Sequence, residues 1–179
     1  GIERIQYSLK GGAREATHFC SRTFENQIWH SAAVLEALQA RPDIQPDLIV
    51  GHTGFLSTVF LRELDGVPQI NYFEFFYRTR NSDIDFRHDL PQCGKDERIR
   101  ARVRNAALLL DLDNCDAGYS PTVWQRNQLP TEFHDKVEPI FDGIDTSFWK
   151  PVEVGKRTIA GIDIPVGTKV VTCVSRGIE

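Results

Sequence analysis

The sequence predicts an α/β fold built around a parallel sheet. Short apolar bursts of strand length recur along the 179 residues, stretches with helical spacing separate them, and Gly- or Pro-containing turns punctuate both. Strand and helix in alternation make βαβ units, which set the strands parallel and cover both faces of the sheet with helices. No internal repeat or low-complexity tract interrupts the pattern.

Ile5, Tyr7 and Leu9 alternate with polar neighbours, the period of a half-buried or edge strand. Between Phe19 and Ala40, Phe24, Ile28, Ala32, Leu35 and Leu38 recur every three or four positions and Pro42 closes the stretch, so a long amphipathic helix is expected. Asp47 to His52 is the next strand, and Gly54 to Leu64 returns to helical spacing before the Asp65-Gly66 turn. Val67 to Phe73, rich in aromatic and β-branched residues, is a further strand. Glu74 to Lys95 has no clean period and reads as a long loop, a class of segment more often functional than connecting. Asp96 to Leu112 is a helix with Ile99, Val103, Ala107 and Leu110 on one stripe and Asp96 or a neighbour as its cap. Ala117 to Ser120 forms a short strand, and Pro121 suits the first turn of a helix after it. Val137 to Phe141 is a strand closed by the turn Asp142-Gly143-Ile144-Asp145; beyond Pro151 and Gly155, Lys169 to Val174 reads as a buried strand.

Composition narrows the function. A chain of this length with 41% hydrophobic residues can bury a single core of ordinary size. Net charge is −4, with Lys and Arg scattered among Asp and Glu, which argues against a nucleic-acid partner. Cys20, Cys93, Cys115 and Cys173 lie far apart, with no C-x-x-C pair and no His at zinc spacing, so no metal is expected, and Cys20, Cys115 and Cys173, in apolar surroundings, read as reduced, packed thiols of a cytoplasmic protein. No apolar run approaches the roughly 18 residues of a membrane span, and no signal-peptide pattern opens the chain. With no methionine even at position 1, Gly1 reads as a cloning or processing remnant.

Open parallel sheets bind ligands beyond the carboxyl ends of their strands. The residues at those ends are His52, Glu74, Ser120 and Asp142. His52 sits between Gly51 and Gly54, whose missing side chains admit a close ligand or backbone, and it is either a ligand contact or a satisfied structural histidine. Ser120 is a strand-end polar group or the N-cap of the next helix. Tyr72 to Arg78 gathers five aromatics around Glu74, a carboxylate costly to bury unless paired or used. Aromatic surfaces with a few hydrogen-bonding groups suit sugars, whereas a core strand with Glu74 paired to Arg78 or Arg80 accounts for the same residues. The Asp142-Gly143 pair is by itself a tight turn. No G-x-S-x-G elbow or Walker-type loop occurs, which argues against a hydrolase or nucleotide-binding P-loop.

Taken together, SPTVWQRNQLP (Ser120 to Pro130), VEPIFDGIDTSFWKP (Val137 to Pro151) and VVTCVSRGIE (Val170 to Glu179) resemble the family 4 glycosyltransferases, as do PDLIVGHTGF and NYFEFFYR. The resemblance covers essentially the whole chain. It implies the GT-B architecture of two Rossmann-like domains facing across a cleft, with residues 1–150 as the acceptor-side domain lacking its first strand, and 151–179 as a linker and the first strand of an absent donor-binding domain. It also implies retaining transfer from a nucleoside-diphosphate sugar to an acceptor, with no cofactor and no obligatory metal, and leaves room for peripheral membrane contact. On this resemblance His52 is the catalytic candidate, and Glu74, Phe75, Phe76, Tyr77, Arg78 and Ser120 would face the acceptor. Asp142, Gly143 and Asp145 would form the turn toward the linker, and Arg176 would meet the donor diphosphate, which a guanidinium fork suits. The fragment alone is expected to be inactive. A non-catalytic carbohydrate- or protein-binding module of the same fold is the competing reading.

Overall fold

A computed structural model describes residues 1–54, 58–82, 84–85, 89, 91–151, 157–159 and 161–171. Two compact units result, Gly1–Asp142 and Gly143–Glu179. In the first, helix α1 (Arg22–Gln39) precedes strand β1 (Ile49–His52), a 3-10 helix (Val59–Glu63), β2 (Gln69–Tyr72), α2 (Lys95–Asn114), β3 (Ala117–Ser120), the short α3 (Val123–Gln128), a 3-10 turn (Thr131–Phe133) and β4 (Val137–Pro139). The strands pair in parallel in the order β1-β2-β3-β4, so the alternation read from the sequence gives an α/β, Rossmann-like sheet flanked by helices.

Register explains the burial. Gly51, Asn71, Gly118 and Val137 lie side by side across the sheet and are all buried, beneath α2 and the 3-10 helix. Leu108 and Leu112 of α2 meet Phe73, Phe76, Cys115, Leu129 and Val137 in one apolar cluster. Gly118 is required there, because a Cβ would come within 2.7 Å of the Phe73 ring. A polar knot sits next to this core. Wholly buried Asp111 accepts from the Thr58 backbone N–H at 3.1 Å and the Thr58 hydroxyl at 2.8 Å, and that hydroxyl accepts from Gln69 and Asn71, each at 2.9 Å. The opposite face is more open, with Val50 62% exposed.

Several expectations change. Ile5 to Leu9 joins no strand; Tyr7 meets His30 of α1 at 3.0 Å instead, so its alternation reflects packing on a helix rather than pairing in a sheet. Between β1 and β2, the expected helix from Gly54 is a five-residue 3-10 turn among the described residues, and the Asp65-Gly66 turn, with Gly66 at φ +76°, ends it. The segment after β2 is indeed irregular where described. Gly94, not Asp96, precedes α2, and the Glu97 carboxylate accepts the Gly94 N–H at 2.8 Å. Strand β4 ends two residues before Phe141, although Ile140 N–H still reaches the Ser120 carbonyl at 2.8 Å.

In the second unit, Gly143 takes φ +82°, the conformation Asp-Gly turns favour, and the Asp145 carboxylate accepts from the Ser147 and Phe148 N–H groups. A hairpin of β5 (Arg157–Ile159) and β6 (Ile162–Ile164) turns at Gly161, φ +81°. Three-residue strands are too short to show a period. Lys169 to Val171 form no strand, and Thr172 to Val174, with Cys173, lie outside the described residues.

Cys20 and Cys115 are buried thiols, as their apolar surroundings suggest. Burial pushes the Cys115 thiol from about 9 up to about 11. The folded chain keeps a proton that the unfolded chain releases, so this group's contribution is intact below pH 9 and lost as pH climbs toward 11. Denaturant midpoints measured from pH 8 to 11 should fall by an amount equivalent to about 2–3 kcal/mol. In Cys115→Ala that alkaline decline should be visibly shallower; an identical slope would refute the assignment.

Candidate functional site

The carboxyl ends of β1, β2 and β3 bring three rings into one row. His52, Tyr72 and Tyr119 occupy a single register line and the same sheet face. His52 and Tyr72 have centroids 4.8 Å apart at 69°, and Tyr72 and Tyr119 are 4.9 Å apart at 39°. Adjacent strands lie about 4.8 Å apart, so the sheet itself sets the ring spacing.

Two carboxylates flank the row. Glu74 Oε2 lies 3.6 Å from His52 Nε2, and Asp142 Oδ2 accepts the Tyr72 hydroxyl at 3.0 Å. His52 Nδ1 is 3.0 Å from the Thr53 carbonyl. A carbonyl only accepts, so Nδ1 carries a hydrogen; Nε2 is an acceptor in the neutral ring and pairs with the Glu74 carboxylate when the ring is protonated. Burial, followed by the bond to Asp142, raises the Tyr72 phenol well above its ordinary value, so it stays a donor across the physiological range.

The loop after β2 distributes its residues to three places. Glu74 goes to the ring row rather than to Arg78 or Arg80, and its carbonyl is held by Gln125 Nε2 at 3.0 Å. Phe76 enters the core at 6% exposure, while Phe75 and Tyr77 stack on each other at 5.4 Å. Arg78 turns toward α2, stacks over Phe76 at 4.9 Å and donates Nε to the Gln128 carbonyl at 2.7 Å.

Ser120 needs correction on both readings. It does not cap α3; Thr122 does, accepting from Gln125 N–H at 3.1 Å. It is wholly buried and donates its hydroxyl to the Phe73 carbonyl at 2.8 Å, which leaves no surface for an acceptor. Asp142 joins the row through Tyr72, whereas Gly143 and Asp145 shape the turn of the second unit. Arg176 lies outside the described residues. Composition gives Tyr119 no role and places Tyr72 only among five aromatics around Glu74; their joint signal is the shared register, which appears only once the strands are paired. Among the described residues, no three His, Cys, Asp or Glu side chains gather at metal-binding distance.

Residues 1–149 match the glycosyl transferase family 4 group. The chain belongs to that family. A comparison with curated proteins finds no match. As a family 4 glycosyltransferase the chain has a glycosyltransferase-type function, with a sugar donor and an acceptor as its substrates. The matched span contains the whole sheet, the ring row and both flanking carboxylates of this glycosyltransferase. Among its described residues, no helix is long and apolar enough to cross a membrane.

Proposed function

We propose that this chain forms the acceptor wall of a glycosyltransferase that moves a hexosyl unit from a nucleoside-diphosphate sugar to an acceptor hydroxyl, with retention and without an obligatory metal. The row of His52, Tyr72 and Tyr119, with Glu74 against His52 and Asp142 against Tyr72, is the observation that carries it. Aromatic faces cover the apolar face of a sugar ring, and carboxylates accept from its hydroxyls. His52 Nε2 and Glu74 would receive the acceptor hydroxyl and orient its oxygen toward the anomeric carbon, a positioning effect. On this reading residues 1–150 are the acceptor side, residues 151–179 lead to the donor side, and Arg176 meets the donor diphosphate.

The test is a panel of nucleotide sugars with the intact enzyme, this chain together with its donor-binding domain, in the presence of a chelator. Transfer or donor hydrolysis should occur with at least one donor, and Arg176→Ala should lower it at least about a hundredfold, as loss of a diphosphate contact in a transfer site does. Failure with every donor would sink the proposal; full activity in Arg176→Ala would remove that residue from it.

A further inference from the structure

A groove of about 930 Å³ runs between the loop after β2 and the exposed face of α2. Five cations line it: Arg78 and Arg80 from the loop, and Lys95, Arg98 and Arg102 from the helix. The helical three fall at steps of three and four, which puts them on one face. Glu132 is the one carboxylate among the described lining residues. None of the five joins the ion pairs of the described residues, which use Lys10, Arg41, His52 and Arg62. The sequence shows these cations only as scattered charges; the fold gathers them on a chain of net charge −4. Five like charges held together with one carboxylate among the described lining residues cost free energy, so the cluster favours an anion.

The groove is also built to hold its shape. Asn105, 6% exposed, takes the Tyr77 N–H at 2.9 Å and donates to the Tyr77 carbonyl at 2.8 Å, so the loop is fixed to α2 at the residue before Arg78. Ser82 donates to the Arg78 carbonyl at 2.8 Å. The Arg78 guanidinium is held by its Nε bond and its stack on Phe76, and Arg78 lines the groove, so one of the groove's cations is restrained before a ligand arrives.

We propose that this groove binds the phosphate or diphosphate group of a phosphorylated ligand. A guanidinium fork with further cations around it matches phosphate oxygens in charge and in geometry. Glu74 and Arg78 are four residues apart, hence within about 14 Å along the chain, so the loop that carries a ring-row carboxylate also carries a groove cation. The phosphate binding stands independently of the transfer reaction; its identification as part of the acceptor rests on that reading.

The experiment titrates the chain with inorganic pyrophosphate by calorimetry at about 50 and 150 mM salt, a range over which screening weakens exposed charges. In parallel, it sediments the chain with vesicles of phosphatidylcholine alone and of phosphatidylcholine with phosphatidylglycerol. The variants are Arg98→Ala/Arg102→Ala and Arg98→Gln/Arg102→Gln, whose positions are exposed, with Arg4→Ala as a distant control. Saturable pyrophosphate binding that weakens at least tenfold in both double variants and not in Arg4→Ala supports a soluble phosphate ester. Variant-sensitive binding to the anionic vesicles alone supports a lipid phosphate in the same groove. No binding to either probe, or binding that the double variants leave unchanged, overturns the proposal. Because neither probe requires sugar transfer, a negative donor panel and a negative titration refute separate statements.

Discussion

His52→Ala should slow sugar transfer about a hundredfold or more in kcat/KM, within the range seen when a group that hydrogen-bonds the reacting atoms is removed. Its side chain is 46% exposed at the sheet edge, so folding should survive the change. The Thr53 carbonyl fixes the ring's tautomer and Glu74 faces its other nitrogen, so the ring presents Nε2 in one orientation. Glu74→Gln retains the shape and removes the charge, and a loss of roughly tenfold is expected in kcat rather than KM if the carboxylate acts through His52. Initial rates measured with the best donor decide the matter. Rates within twofold of the parent for both variants would mean that the acceptor reacts elsewhere.

The second large effect concerns stability. Asp111→Ala should cost about 3 kcal/mol, because it strands the buried Thr58 N–H, leaves the Thr58 hydroxyl only the longer bond to Asn71 Oδ1 at 3.2 Å, and opens a cavity beneath β1 and β2. For a chain of this size that corresponds to a fall in Tm on the order of 10 °C. Asp111→Leu fills the space without supplying an acceptor and so separates the cavity from the orphaned donor. Thermal unfolding of both variants within about 1 kcal/mol of the parent, a surface-like effect, would show that the knot is not what holds the 3-10 helix to α2.

The long elements are legible in the sequence because they carry many periods. Helices α1 and α2 can be placed from apolar spacing, and β1, β2 and β3 from short bursts bounded by turns, but α2 buries Ala101, Leu108 and Leu112 while Ile99 and Leu110 of the expected stripe are exposed. What escapes the sequence depends on pairing. His52 and Glu74 can be named from their places at strand ends, but their 3.6 Å approach, and the choice of His52 over Arg78 or Arg80 as partner of Glu74, are set by the tertiary fold. Tyr72 and Tyr119 are far apart in the chain and become neighbours only through the register. Ser120 misleads because Thr122, two residues on, offers the same capping chemistry and the backbone geometry favours it. Asp111 gives no warning at all: on a helix rich in Arg and Asp, one wholly buried carboxylate looks like its exposed neighbours.

Strand order also has a kinetic side. β1 and β2 are joined through residues 53–68 and β3 and β4 through 121–136, whereas the link between β2 and β3 runs from 73 to 116. Closing the longer link costs about 0.9 kcal/mol more in chain entropy, so two local strand pairs should assemble first and dock along the β2–β3 seam afterwards. The ring row straddles that seam, with His52 and Tyr72 on one side and Tyr119 and Asp142 on the other. A ligand laid across it would act as a clasp between the two halves, binding only the docked state and protecting the amides of β2 and β3 from exchange.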